Sequence, residues 1–213
     1  MLAWLLVLLA CGLDRLLGDP SGLLHPVQVM GWWITRLQRL AERVAGDRPL
    51  LLRGAGLLIS TVLVGASVLL GWGVERMALV WPALGLPLLL IGLASALAGG
   101  SLHRAVRGVI EALPDLHLAR SRLAWIVGRD VRDLDEAGIL RAAAETASEN
   151  AVDGLFAPLF WMVVGAAVWA WSPAASPPGP LALAWGFKAA STLDSMLGYR
   201  RGRLRWLGTA CLL

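Results

Sequence analysis

Long uncharged apolar runs alternate along this chain with segments rich in arginine and carboxylates. Five apolar stretches stand out, at about 1–17, 54–73, 78–99, 155–171 and 181–198, the last with polar residues inside it. A helix needs about 20 residues to cross the hydrocarbon core of a bilayer. The pattern therefore predicts an all-α fold, a polytopic membrane bundle with about five spans and a single membrane domain. A stretch of this length free of charge is hard to place in a soluble fold, because each such helix would need its whole circumference covered.

The connections differ in kind. The segment 14–53 carries Arg15, Arg36, Arg39, Arg43, Arg48 and Arg53, and the tail after Gly198 carries Arg200, Arg201, Arg203 and Arg205. The segment 101–153 holds seven arginines and nine acidic residues. By contrast, the link between the second and third runs has only Glu75 and Arg76, and 172–180 has four prolines and no charge. Cytoplasmic loops keep Lys and Arg. This places all the charged segments inside, with the N-terminus out, five spans and the C-terminus in. Within 101–153, the stretch 130–150 reads as one amphipathic helix. Leu134, Ala137, Ile139, Leu140, Ala143 and Ala144 supply its apolar side, and Asp133, Asp135 and Glu136 sit at its positive end.

Composition sharpens this picture. Of the 213 residues 57% are hydrophobic and 16% charged, against about 25% charged in an ordinary soluble domain. The formal charge of +4 and the single lysine, Lys188, come without any nucleic-acid recognition motif, so no nucleic acid is expected as a partner. Cys11 and Cys211 form no CxxC pair, which leaves a zinc site or disulfide framework unsupported. The Leu-Leu-Ala-Cys ending at Cys11 resembles a lipoprotein processing site. No basic stretch precedes it, and it is read as part of a retained first span.

Four polar constellations carry candidate chemistry. In ETASENAVDG, Glu145, Glu149 and Asp153 recur every four residues beside Asn150. Like charges at that spacing destabilise a helix, whereas an oxygen-rich cluster suits Mg²⁺ held together with substrate phosphates. The plainer reading is a solvated acidic face balanced by Arg132 and Arg141. In KAASTLDSMLGY, Lys188, Ser191, Thr192, Ser195 and Tyr199 fall on one helix face, with Asp194 about a third of a turn away. A charge inside a span marks a functional site, and a lysine beside hydroxyls grips phosphate as a point charge. Alternatively Lys188 snorkels from a span that ends early.

Third, Gly128-Arg129-Asp130 offers an arginine fork for phosphate or carboxylate, or a local Arg129–Asp133 pair. Fourth, Asp14, Gly18, Asp19, Pro20 and then His25 and Pro26 make a tight connection. A carboxylate and an imidazole there suit acid–base or positioning work, or His25 is simply interfacial. There is no P-loop, dinucleotide-binding glycine motif, HExxH or GxSxG elbow.

Taken together, DRLLGDP…HPV…MG, GRD…AAAETASENAVDGLFAPLFW and KAASTLDSMLGY resemble the adenosylcobinamide-phosphate synthase family of cobalamin biosynthesis, in the family's order and over nearly the whole chain. The resemblance implies a multi-pass enzyme of the bacterial cytoplasmic (inner) membrane. Its implied activity is ATP- and Mg²⁺-dependent amide ligation, joining adenosylcobyric acid, a corrinoid, to (R)-1-amino-2-propanol or its phosphate.

The resemblance supports these positions, and side-chain chemistry suggests their roles: Glu145, Glu149 and Asp153 are expected to hold Mg²⁺–ATP, and Lys188 and Arg129 to steady phosphates or the aminopropanol phosphate. Asp194 is expected to orient the amine, and Asp130, Asn150, Ser191, Thr192, Ser195, Asp14, Asp19 and His25 to line the substrate sites. The family pattern continues with A-R-L-D-D-x-x-N-x-x-P-A-R and at least one further span, which this sequence does not contain. Two alternatives stand beside the ligase reading: a transporter using Lys188 and Asp194 inside the membrane, which neither an inverted repeat nor paired broken helices support, and a shortened, inactive member of the same family.

Overall fold

The structure is a computed structural model, and it describes residues 2–18, 25–172 and 177–210. It is all-helical, with no strand among the described residues. In order come α1 (Leu2–Leu17), α2 (Pro26–Ala45), α3 (Pro49–Val80), α4 (Pro82–Ser95), α5 (Gly99–Glu111), α6 (Leu116–Leu123) and α7 (Glu136–Ala151). A π-helical turn, Val152–Phe156, then joins α7 to α8 (Ala157–Trp171), followed by α9 (Pro180–Leu197) and the short α10 (Leu204–Leu207). Proline occupies the first turn of α2, α3, α4 and α9. There its missing N–H costs nothing and its fixed φ is already helical.

Three helical runs are long and apolar enough to cross a membrane: Pro49–Val80, Pro82–Glu111 (α4 and α5, with a short break at 96–98) and Glu136–Trp171. The expected spans at 1–17 and 181–198 are present as α1 and α9, but neither reaches that standard. At 16 residues α1 is about 24 Å long. α9 is less apolar because it carries Lys188, Asp194 and the hydroxyls of Ser191, Thr192 and Ser195, and it buries Leu181, Ala182, Ala184, Gly186, Ala189, Leu193 and Leu197. It packs closely on α3. A Cβ added at Gly71 would stand 2.7 Å from the Cα of Ala182, so only glycine allows that approach.

Two readings of the pattern need correction. Glu75 and Arg76 are not a loop between spans. α3 runs through them for 32 residues, and the turn into α4 is made at Trp81. Glu75 is fully buried, and its carboxylate receives the backbone N–H groups of Gly179 (2.8 Å), Leu181 (2.7 Å) and Ala182 (3.1 Å) at the start of α9. Pro180 has no N–H, and Leu183 donates to the Gly179 carbonyl at 3.1 Å. Every amide of that helix start is thus satisfied.

The second correction concerns 130–150, which is not one helix. α7 begins at Glu136, capped by Asp135, whose side chain accepts from the Gly138 N–H at 2.8 Å. Asp130 and Asp133 lie before it. Asp130 accepts from the backbone N–H of Arg132 at 3.1 Å, and such local side-chain bonds compete with helix. The buried face of α7 is Ile139, Ala142, Ala143 and Thr146; Ala137, Leu140 and Ala144 are exposed. That face joins Val109 and Ala112, from α5 and its end, and Ala119 and Leu123 of α6, in a satellite core.

Candidate functional site

Pro158 shapes the site. At 158 there is no backbone N–H, so an α-helix would leave the Gly154 carbonyl without its partner four residues on. The chain widens here into the π turn, where the Ala157 N–H reaches back to the Val152 carbonyl. The Asp153 carbonyl then finds no amide at 157, which is taken, nor at 158, which has none. Both released carbonyls have other donors: Gly154 accepts from the Ala98 N–H at 2.8 Å, and Asp153 accepts from Lys188 Nζ at 3.4 Å. π turns inside α-helices often mark functional sites.

Around this turn lies an open cleft of about 530 Å³, within the range of small-molecule sites. Lys188, Ser191, Thr192 and Ser195 of α9 form one wall; Asn150, Asp153 and Gly154 form another; Ser101 of α5 and Trp125 close it. The stripe expected from spacing is thus real for four of its members, while Tyr199 lies beyond the end of α9. Two hydroxyls donate back along their own helix, Thr192 to the Lys188 carbonyl (2.6 Å) and Ser195 to the Ser191 carbonyl (2.9 Å). Trp125, 88% exposed, offers an indole face at the rim. Neither Trp125 nor Ser101 was singled out from the sequence, because neither belongs to a polar cluster there.

On the other side of α7 lies a smaller cleft of about 250 Å³, lined by Gly128, Arg129, Glu145, Thr146 and Glu149. Arg129 is paired with Glu145 across it, not with Asp133. Thr146 donates to the Ile126 carbonyl at 2.9 Å, and Asn150 Nδ2 donates to the Thr146 carbonyl at 2.9 Å, so the 126–129 loop is tied to α7 between the two clefts. Glu145 and Glu149 therefore face one cleft and Asp153 the other. Among the described residues no three His, Cys, Asp or Glu side chains gather at one point. The acidic trio does not form a shared shell.

The other expected residues are placed as follows. Asp194 is exposed and does not line the cleft with Lys188. Asp130 is exposed and held by Arg132, whose hydrogen bonds lower its pKa from 3.8 to about 2. Asp14 is buried and accepts from the Gly100 N–H at 3.1 Å, capping α5. His25 is the N-cap of α2, its Nδ1 accepting from the Val27 N–H at 3.3 Å. Asp19 lies outside the described residues.

Fold and site together define a helical membrane protein with a polar cleft at a π turn. The chain belongs to the CobD/Cbib protein family, whose model matches residues 7–211. It is 40% identical over 212 residues to the cobalamin biosynthesis protein CbiB of Salmonella typhimurium, covering 98% of this chain and 60% of that protein. It is 42% identical to cobalamin biosynthesis proteins named CobD from Synechocystis sp. (89% of this chain, 54% of that protein) and Pelobacter propionicus (95% and 58%). The chain thus spans about 60% of the length of the curated relatives it matches. No solved structure matches it.

Proposed function

We propose that this chain acts in cobalamin biosynthesis as an ATP-dependent, amide-forming ligase that joins adenosylcobyric acid to (R)-1-amino-2-propanol or its phosphate. The observation carrying the reading is the convergence of Lys188 with Asn150, Asp153 and the α9 hydroxyls in one cleft, within a chain that belongs to a family of cobalamin biosynthesis proteins. A carboxylate must be activated before an amine displaces its oxygen: phosphoryl transfer from ATP to a corrin propionate gives an acyl phosphate and ADP, and the neutral amine then attacks the acyl carbon, expelling inorganic phosphate and losing a proton to give the amide. ATP and the propionate are both anionic, and Lys188 supplies positive charge in the cleft.

Lys188 holds a phosphate or the propionate as a point charge, oriented by the Asp153 carbonyl. Asp153 is the cleft carboxylate able to hold Mg²⁺ jointly with substrate phosphates, since that ion uses one or two carboxylates. When bound, the ion neutralises charge on the transferring phosphoryl group. Glu145 and Glu149 belong on this reading to the second cleft, with Arg129. The charged end of the bundle faces the cytoplasm of the bacterial inner membrane, where ATP is available.

The test is product formation by membranes holding this chain, given adenosylcobyric acid, either amine, ATP and Mg²⁺, with mass spectrometry to find the amide. Product that disappears with Lys188→Ala supports the reading. Product only after extension to the relatives' length would keep the reaction and put part of the site in that extension. No product in either form, where a CbiB relative gives product alongside, overturns it.

A further inference from the structure

α2 is 20 residues long yet is not among the runs apolar enough to cross a membrane. It stays near one end of the bundle: Gly31, in its second turn, lies against Met196, next to the last residue of α9, and Ala45, its last residue, leads within four residues to Pro49 at the start of α3. Successive helical residues turn by about 100°, which sorts α2 into three stripes. Met30, Ile34, Ala41 and Ala45 are buried against α3 and α9. Beside them runs a second apolar stripe facing away from the protein: Trp33 (48% exposed), Leu40 (57%) and Val44 (75%). Next to that is a stripe of Arg36, Arg39 and Arg43, with Trp32 among them and Arg36 4.5 Å over its ring.

A soluble surface helix needs one apolar stripe; this one has two, the outer flanked by arginines. That is the composition of a helix lying in a membrane interface. The same end of the bundle carries Arg53 and Arg205, both stacked on Trp206 at 4.6 and 4.2 Å. The acids nearby are engaged: Glu42 by Gln38 (2.9 Å) and Asp47 by Arg203 (2.7 Å). We propose that α2 lies in the membrane interface and that its arginine stripe binds the headgroups of anionic phospholipids. This site is separate from the cleft and independent of the ligase reading.

The experiment is native mass spectrometry of the full chain released from detergent with phosphatidylglycerol or phosphatidylcholine, beside the triple variant Arg36→Gln/Arg39→Gln/Arg43→Gln. The unmodified chain should retain phosphatidylglycerol selectively. The preference should fall about fivefold per arginine removed and weaken as salt is raised. A control variant, Arg107→Gln/Arg132→Gln/Arg141→Gln, removes the same charge from α5, α7 and the loop before α7, and should keep the preference. Equal retention of the two lipids by the unmodified chain overturns the proposal, as does equal loss in the control, which would reduce the effect to net charge. Displacement of the lipid by millimolar inorganic phosphate also overturns it, making the stripe a free-phosphate site.

Discussion

Glu75 on α3 accepts the backbone N–H of Leu181, 106 residues away, at 2.7 Å, and through the same carboxylate it caps α9. A charge that would be costly in a span is held by three amides and a helix dipole. Because α9 carries Lys188, this cap sets how the helix bearing the cleft's cation sits between α3 and α8.

Glu75→Gln keeps one acceptor oxygen but sets an NH₂ against amide donors. We expect it to lower unfolding free energy by about 1–3 kcal/mol, and Glu75→Ala by more, measured by thermal melting in detergent. Unchanged melting would show that the cap does not stabilise α9.

Lys188→Ala should cut turnover by about a hundredfold with melting nearly unchanged, because the side chain reaches an open cleft. Lys188→Arg should restore only part of the activity, since a planar fork does not reproduce a point charge. Steady-state kinetics on the amide product decides this, and full activity in Lys188→Ala would remove the lysine from the site.

Pro158→Ala supplies the N–H whose absence opens the π turn. The new amide competes for the Gly154 or Asp153 carbonyl, now taken by Ala98 and Lys188. Melting should hold or rise, while turnover should drop at least about tenfold from misplacement of the cleft groups. Normal turnover with a regular α-helix would show the π turn to be incidental.

Asp130 bears on acid behaviour. Its folded pKa is depressed from 3.8 to about 2 by Arg132, so its contribution is full above the ordinary carboxylate value. It is lost as pH falls through about 2. We therefore expect Asp130→Asn to leave the pH–activity profile unchanged from pH 5 upward, and the Asp130 carboxyl to titrate near 2 by NMR. An inflection near neutrality that disappears in the variant would contradict this.

Hydropathy located α3, α4 and α8 because the bilayer requires long apolar helices, and spacing put Lys188, Ser191, Thr192 and Ser195 on one face because the helical repeat is fixed. Glu75 was misread for the same reason: a lone carboxylate between two apolar runs looks like a span boundary when its partners are 104–107 residues away. The trio Glu145, Glu149 and Asp153 is regular in sequence, but the π turn falls after the second member and the third turns into a different cleft. Proline at 158 was the available sign of that turn. Asp14 and His25, expected at the substrate site, cap helices in the structure, a use that the spacing of polar residues in sequence does not distinguish from a binding role.

By itself, then, the sequence determined the helical membrane class, the family and the polar face of α9, since these follow from local quantities: run length, motif and helical periodicity. Only the tertiary structure decided which carboxylates share a cleft, where Arg129 finds its partner, and that Glu75 belongs inside the protein. Those outcomes depend on backbone amides and side chains brought together from distant segments, and no local pattern encodes which donor a buried acceptor will meet.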